Sequence, residues 1–144
     1  MPGKLRVLFL CTGNSCRSQM AEGWARALRS ESLDACSAGL VAHGQNPRAI
    51  KVMAEAGVDI TGQASKTLAS LGDRAFDVVI TVCGHADEHC PVFPGRTRRI
   101  HRGFDDPPTL AQGAASEEEA LDAYRRVRDE IRAYVETLPG SLDS

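Results

Sequence analysis

Cys11 and Arg17 are separated by five residues in Cys11-Thr12-Gly13-Asn14-Ser15-Cys16-Arg17, and Ser18 follows. A thiol and a guanidinium at that spacing can work on one tetrahedral oxyanion. Arginine's planar fork grips two oxygens at once, and a thiolate below them is a nucleophile. Gly13 lets the backbone approach without a side chain in the way. Asn14 tolerates the left-handed conformation that tight anion-binding loops use. Ser18 can hydrogen-bond the sulfur. The oxyanion-binding set is therefore Thr12, Gly13, Asn14, Ser15, Cys16, Arg17 and Ser18, with Cys11 beneath it.

The flanking residues must position this loop. Val7 to Leu10 is a short apolar run, as a buried parallel strand is. After Ser18 the pattern turns helical, with Met20, Trp24 and Leu28 on one face beside Ala21 and Ala25. The loop thus joins a strand's end to a helix's start. Amides there point at a common spot that the helix dipole makes positive, a field that favours thiolate over thiol. A bare Cys-x5-Arg arises often by chance. Here Gly and Asn inside, Ser behind, and a strand and helix on either side give it context.

The rest of the chain alternates strand and helix, which predicts an α/β domain with a mostly parallel sheet over residues 1–144. Residues 33–38 read as a second strand ending at Gly39. Asn46-Pro47 reads as a helix start that runs to Gly57. A shorter helix is expected after Ser65, carrying Leu68 and Leu71. Phe76 to Val82 is the most β-like run and is expected at the sheet's centre. Thr97 to His101 is more polar and suits an edge. Residues 107–115 read as a connecting surface loop. Ser116 and Glu119 form a capping box before a last helix that buries Leu121, Tyr124, Val127, Ile131 and either Val135 or Leu138.

At 144 residues the chain has length for one well-buried core. Its 17 basic and 19 acidic residues nearly balance, giving no reason to expect nucleic acid or a membrane as partner. No apolar stretch approaches the ~20 residues of a membrane helix. The first ten residues, MPGKLRVLFL, are too short for a signal peptide, so a cytoplasmic protein is expected; a monomer is the expected state. In that reducing setting the five cysteines read as catalytic, redox or metal-binding rather than as structural bridges. Cys16 packs with its loop, and Cys36 reads as a small core residue. Cys11, Cys83 and Cys90 remain.

The stretch CTGNSCRSQMAEG resembles the signature loop of the low-molecular-weight tyrosine phosphatase superfamily, and more closely that of its thioredoxin-coupled arsenate reductases. SAGL, HGQNPRAI, the segment around Cys83 and Cys90, GFDDP and VRDEI carry the resemblance along the chain. It implies a flavodoxin-like, four-stranded parallel sheet flanked by helices, with the ligand at the strands' carboxyl ends. Cys11 follows the first strand and Cys83 the third, so neighbouring strands would bring both thiols to one end.

Cys83-Gly-His-Ala-Asp-Glu-His-Cys90 separates the readings. Phosphoester hydrolysis needs one cysteine and an acid, which leaves Cys83 and Cys90 idle. Reducing arsenate to arsenite takes two electrons, which a thiol pair supplies on becoming a disulfide. Zinc bound by Cys83, His85, His89 and Cys90 in a non-catalytic module is a third reading, and inert thiols under a polar loop are a fourth. The resemblance implies a relay: Cys11 attacks arsenate, Cys83 attacks Cys11, and Cys90 attacks Cys83. The final Cys83–Cys90 disulfide is reduced by thioredoxin as an external reductant, with no bound cofactor. A glutaredoxin system remains open as the alternative donor. Were residues 83–90 one continuous helix, seven steps of roughly 1.5 Å would set the two Cα atoms about 10 Å apart. A disulfide needs them within about 7 Å, so any helix there must unwind.

The resemblance also assigns the general acid to the aspartate before proline, Asp106, and Asp105 reads as a turn or cap residue. The phosphatases usually follow that proline with an aromatic residue, whereas Pro108 stands here. Four Phe, two Tyr and one Trp leave no aromatic wall for a phosphotyrosine, which favours a small inorganic substrate: arsenate, with phosphate or sulfate as analogues. Some arsenate reductases of the family hold potassium at positions matching Asn14, Glu22 and Ser37. Their fourth ligand, an aspartate, is Lys66 here, so no metal site is expected, and the lysine ammonium is expected to pair with Glu22.

Overall fold

Two runs of uninterrupted apolar residues form the middle of the sheet. In the computed structural model, which describes residues 4–72, 74–90, 93 and 97–143, β1 spans Leu5–Cys11 and β3 spans Val78–Thr81. Val7 to Leu10 and Val79 to Thr81 are wholly buried, as strands covered on both faces must be. β2 (Leu33–Gly39) pairs with the other edge of β1, and the polar β4 (Arg98–His101) closes the far side of β3. All pairings are parallel and the order is β2-β1-β3-β4. The four-stranded parallel sheet with flanking helices is thus the expected architecture, with β4 at the edge. Met1–Gly3, within the stretch weighed as a signal peptide, lie outside the described residues.

The helices are α1 (Arg17–Leu28), α2 (Pro47–Glu55), α3 (Gly84–Glu88), α4 (Pro107–Ala111) and α5 (Glu117–Glu136). Asn46 caps α2 as its sequence demands: Oδ1 accepts the Arg48 and Ala49 amides, while Nδ2 donates to the Tyr124 hydroxyl on α5 at 3.0 Å. The Trp24 indole donates to the Arg128 carbonyl at 3.1 Å and ties α1 to α5. α5 buries Leu121, Tyr124, Val127, Ile131 and Val135, and Leu138 beyond its end is buried too. None of the described helices is long and apolar enough to cross a membrane.

Three expectations are corrected. Residues 107–115 are not merely a connector, because Pro107–Ala111 forms α4, packed on α5 with Pro107 and Ala111 buried. The helix expected after Ser65 shrinks to one 3-10 turn, Ala69–Leu71. At α5, Ser116 accepts the Glu119 amide as a capping box requires, but Glu119 reaches back to the Ala115 amide rather than to Ser116.

Candidate active site

The loop after β1 is held so that its carbonyls face away from the cleft. The Leu40, Val41 and His43 amides donate to the carbonyls of Cys11, Thr12 and Gly13 at 3.2, 3.0 and 2.9 Å, and the Asn46 amide to that of Ser15 at 3.0 Å. Gln19 Nε2 takes the Asn14 carbonyl, and the Met20 amide takes that of Cys16. The segment leaving β2 thus occupies the oxygens that would repel an anion, and the amide side is left to the cleft, at the start of α1. Asn14 has φ 47°, the left-handed conformation expected for it. Gly13 sits where a Cβ would lie 2.5 Å from His43 Nδ1, so any side chain there would have to displace that exposed ring.

Below the loop runs a chain of buried polar groups. The Lys66 amide and Gln19 Nε2 donate to Asn14 Oδ1, and Asn14 Nδ2 donates to Ser18 Oγ at 2.8 Å. Ser18 Oγ lies 2.8 Å from Cys11 Sγ. Among the described residues no buried side-chain nitrogen or oxygen lacks a hydrogen-bond partner, as a fully satisfied network requires. Glu22, 1% exposed, accepts the Ser37 hydroxyl at 2.6 Å and faces Arg26 at 2.8 Å and Lys66 Nζ at 3.8 Å. The Lys66 ammonium thus stands beside the Glu22 carboxylate, as expected.

Opposite the loop, Arg17 donates to the Phe104 carbonyl at 2.9 Å and stands 3.4 Å from Asp106 Oδ1. Asp106 is also held by the Thr109 hydroxyl at 2.7 Å. Cys11, Thr12, Gly13, Ser15, Cys16, Arg17, His43, Asp106 and Pro108 line one cleft of about 330 Å³. Asp105 points elsewhere and pairs with Arg126 on α5. Burial pushes the Cys16 thiol well up, so this second loop sulfur stays protonated. Cys36 is a core residue as expected, its thiol also pushed up by burial and approached by the Arg74 guanidinium at 3.6 Å.

The third strand delivers Cys83 to the same end. Leu10 is in register with Thr81, and the Val82 amide donates to the Leu10 carbonyl. Cys83 Sγ consequently lies 3.3 Å from Thr12 Oγ1 and accepts the Ala86 amide at 3.4 Å, capping α3. Residues 83–90, expected as a polar loop, therefore contain a wound turn of helix. Cys83 is buried and Cys90, just beyond α3, is half-buried. His85 and His89 are exposed and face each other edge-on at 4.3 Å. No three His, Cys, Asp or Glu side chains among the described residues converge as a metal site.

Sequence reasoning missed His43 and the lining role of Pro108. Its reading stopped at Gly39, although the residues just after a parallel strand's carboxyl end are where such sheets place ligand-facing groups. Gly39 itself is closely fitted: a Cβ there would overlap the Val41 carbonyl and lie 2.7 Å from the Asn14 amide nitrogen.

A cysteine under a loop of amides, with a guanidinium and a carboxyl group lining the same cleft at the carboxyl ends of a 2-1-3-4 parallel sheet, is an arrangement that could bring sulfur to a tetrahedral oxyanion. The sequence profile of the low molecular weight phosphotyrosine protein phosphatase family matches residues 6–144, and the chain belongs to that family. It is 48% identical over 131 residues to an arsenate reductase of Halalkalibacterium halodurans, covering 91% of this chain and 92% of that one. It is 49% identical over 125 residues to an arsenate reductase of Bacillus subtilis, covering 87% and 88%. A solved arsenate reductase in the phosphate binding state superposes with TM-score 0.75 at 33% identity, over 95% of this chain and 98% of that one. Another, in the oxidized state, gives TM-score 0.77 at 32% identity over the same shares.

Proposed function

We propose that this chain reduces arsenate to arsenite through Cys11, Cys83 and Cys90, with thioredoxin as the external reductant. The observation that carries the reading is the placement of Cys83: its sulfur is 3.3 Å from Thr12 Oγ1, the residue next to the candidate nucleophile. A phosphatase needs no second thiol there. The arsenate reductase relatives, among them structures solved in reduced and oxidized states, support the same reading.

In the first step the Cys11 thiolate attacks arsenic, held by the loop amides and Arg17, and an arsenate oxygen departs as water after taking a proton from Asp106. This leaves a Cys11–arsenic(V) bond. The Cys83 thiolate then attacks Cys11 Sγ, the sulfur–arsenic electron pair stays on arsenic, and arsenite leaves. Two electrons have passed to arsenic, and a Cys11–Cys83 disulfide remains. Cys90 attacks Cys83, Cys11 departs as thiolate, and the Cys83–Cys90 disulfide passes to a thioredoxin dithiol. The test is arsenite release from arsenate with thioredoxin, its reductase and NADPH, beside a phosphoester control. Thioredoxin-dependent arsenite release is the expected result; phosphoester turnover without arsenite would make the chain a phosphatase.

A further inference from the structure

Besides the buried Ala86, the helix between Cys83 and Cys90 is tied to the sheet by Asp87. Asp87, on the last turn of α3, reaches the ends of β3 and β4. Thr81 Oγ1 donates to Asp87 Oδ1 at 3.1 Å, and Arg99 Nη2 stands 3.3 Å from the same oxygen. Arg99 Nη2 also donates to the Asp87 backbone carbonyl at 3.0 Å, which the Cys90 amide approaches at 3.5 Å. Behind Thr81, His101 Nδ1 lies 2.9 Å from its hydroxyl. All these contacts are satisfied together when His101 donates to Thr81 and Thr81 donates to Asp87. Thr81 is wholly buried on a central strand, so the anchor is rigid.

The position of this tie matters because of what the two cysteines must do. α3 is wound over Gly84–Glu88 between the two cysteines; seven helical steps of ~1.5 Å would set their Cα atoms about 10 Å apart, beyond the ~7 Å that a disulfide allows. Bridging them would therefore unwind α3, and Asp87 is a side chain that resists this. We propose that Asp87, gripped by Arg99 and Thr81, is the latch of the inter-cysteine helix: it holds α3 wound in the dithiol form, and its release is coupled to formation of the Cys83–Cys90 disulfide. The inference rests on the relay reading above. Arg99 has a second bearing on the pair: it favours the Cys90 thiolate, whereas Asp87 opposes it. Opening the latch leaves that guanidinium beside the sulfur that has to attack. Asp87 and Arg99 act through the cysteines and are positioning residues.

The experiment measures the redox balance of the pair directly. In the Cys11→Ser background the protein is equilibrated with mixtures of reduced and oxidised glutathione. One oxidised glutathione takes two electrons and two protons from Cys83 and Cys90, giving two reduced glutathiones and one S–S bond. Peptide mass spectrometry after alkylation reads the fraction bridged. Both side chains of the latch are partly exposed, which keeps its contribution modest. Asp87→Ala and Arg99→Ala should each raise the equilibrium constant for disulfide formation about fivefold, roughly 20 mV toward more negative potential. Arg99→Lys should fall between them and the parent, since a point charge does not hold carboxylate and carbonyl together as the guanidinium does. Urea unfolding of each variant, reduced and oxidised, supplies the second readout. The latch predicts lost stability in the dithiol form alone. Unchanged midpoints, or equal losses in both forms, would overturn the latch while leaving the relay standing. A parent protein that forms no Cys83–Cys90 disulfide at any glutathione ratio would overturn the relay reading, and the latch with it.

Discussion

Ser18 Oγ lies 2.8 Å from Cys11 Sγ and at the same distance from Asn14 Nδ2. An amide nitrogen only donates, so Ser18 accepts from Asn14 and keeps its proton available to a Cys11 thiolate. The serine is thereby set to stabilise Cys11 as a thiolate, and Asn14 is itself fixed by Gln19 and the Lys66 amide. Ser18→Ala should remove one such hydrogen bond, worth about 1–1.5 kcal/mol. At constant fold this lowers the rate of arsenate-dependent turnover roughly tenfold. Stopped-flow single turnover checks it, and an unchanged rate would detach Ser18 from the nucleophile.

Cys11→Ser should abolish turnover with the fold intact. Arg17→Lys should be nearly as impaired, because an ammonium does not make the bidentate contact. Steady-state arsenite production with circular dichroism as the fold control tests both. Substantial activity in Cys11→Ser would refute the assignment.

Glu22 is buried behind the loop and neutralised by Lys66 and Arg26. Exchanging potassium for sodium at fixed ionic strength should therefore change activity little. Lys66→Ala should lower stability by about 1–3 kcal/mol, because a buried carboxylate loses one of its cations. A several-fold specific stimulation of the parent by potassium would count against this account of Lys66.

The loop from Cys11 to Ser18 was readable because its chemistry-bearing residues, and the strand and helix that flank it, are close in sequence. Strand, turn and helix lie within about twenty residues, and the left-handed Asn14 follows from residue type alone. The central place of β3 and the edge place of β4 followed from where the apolar runs fall, whereas the pairing of β1 with both β2 and β3 did not. What escaped the sequence depends on distant packing. α4 is five residues beginning Pro-Pro, with too few turns to show a period, and it is held by burial of Ala111 near α5. His43 faces the cleft only because β2 lies beside β1. The Asp87 contacts join residues 6 and 12 positions apart through strand ends that periodicity does not place side by side.

Gly39→Ala should damage the site without touching its chemistry. The added methyl would strike the backbone of Val41, Asn14 and Thr12, none of which can swing aside as a side chain can. The loop must shift, and oxyanion affinity should fall at least tenfold. Phosphate binding by calorimetry measures this, and unaltered affinity would show that the loop tolerates the displacement.

Burial holds the Cys90 thiol above its ordinary value, with Arg99 pulling it down and Asp87 pushing it up. The attacking species is the thiolate. Between pH 7 and 8 the thiol stays mostly protonated, so the thiolate fraction and the rate of the Cys90 step should rise roughly tenfold per unit. Rapid-quench trapping of the Cys11–Cys83 to Cys83–Cys90 exchange reads that rate. A flat profile would mean that a step other than the Cys90 attack is being timed.

The central claim is that three thiols act in series, and Cys90→Ser tests it most directly. Treated with arsenate and thioredoxin and analysed without reduction by mass spectrometry, this variant should release about one arsenite per chain and accumulate a Cys11–Cys83 disulfide. Full multiple turnover in Cys90→Ser with thioredoxin would remove Cys90 from the mechanism and contradict the relay.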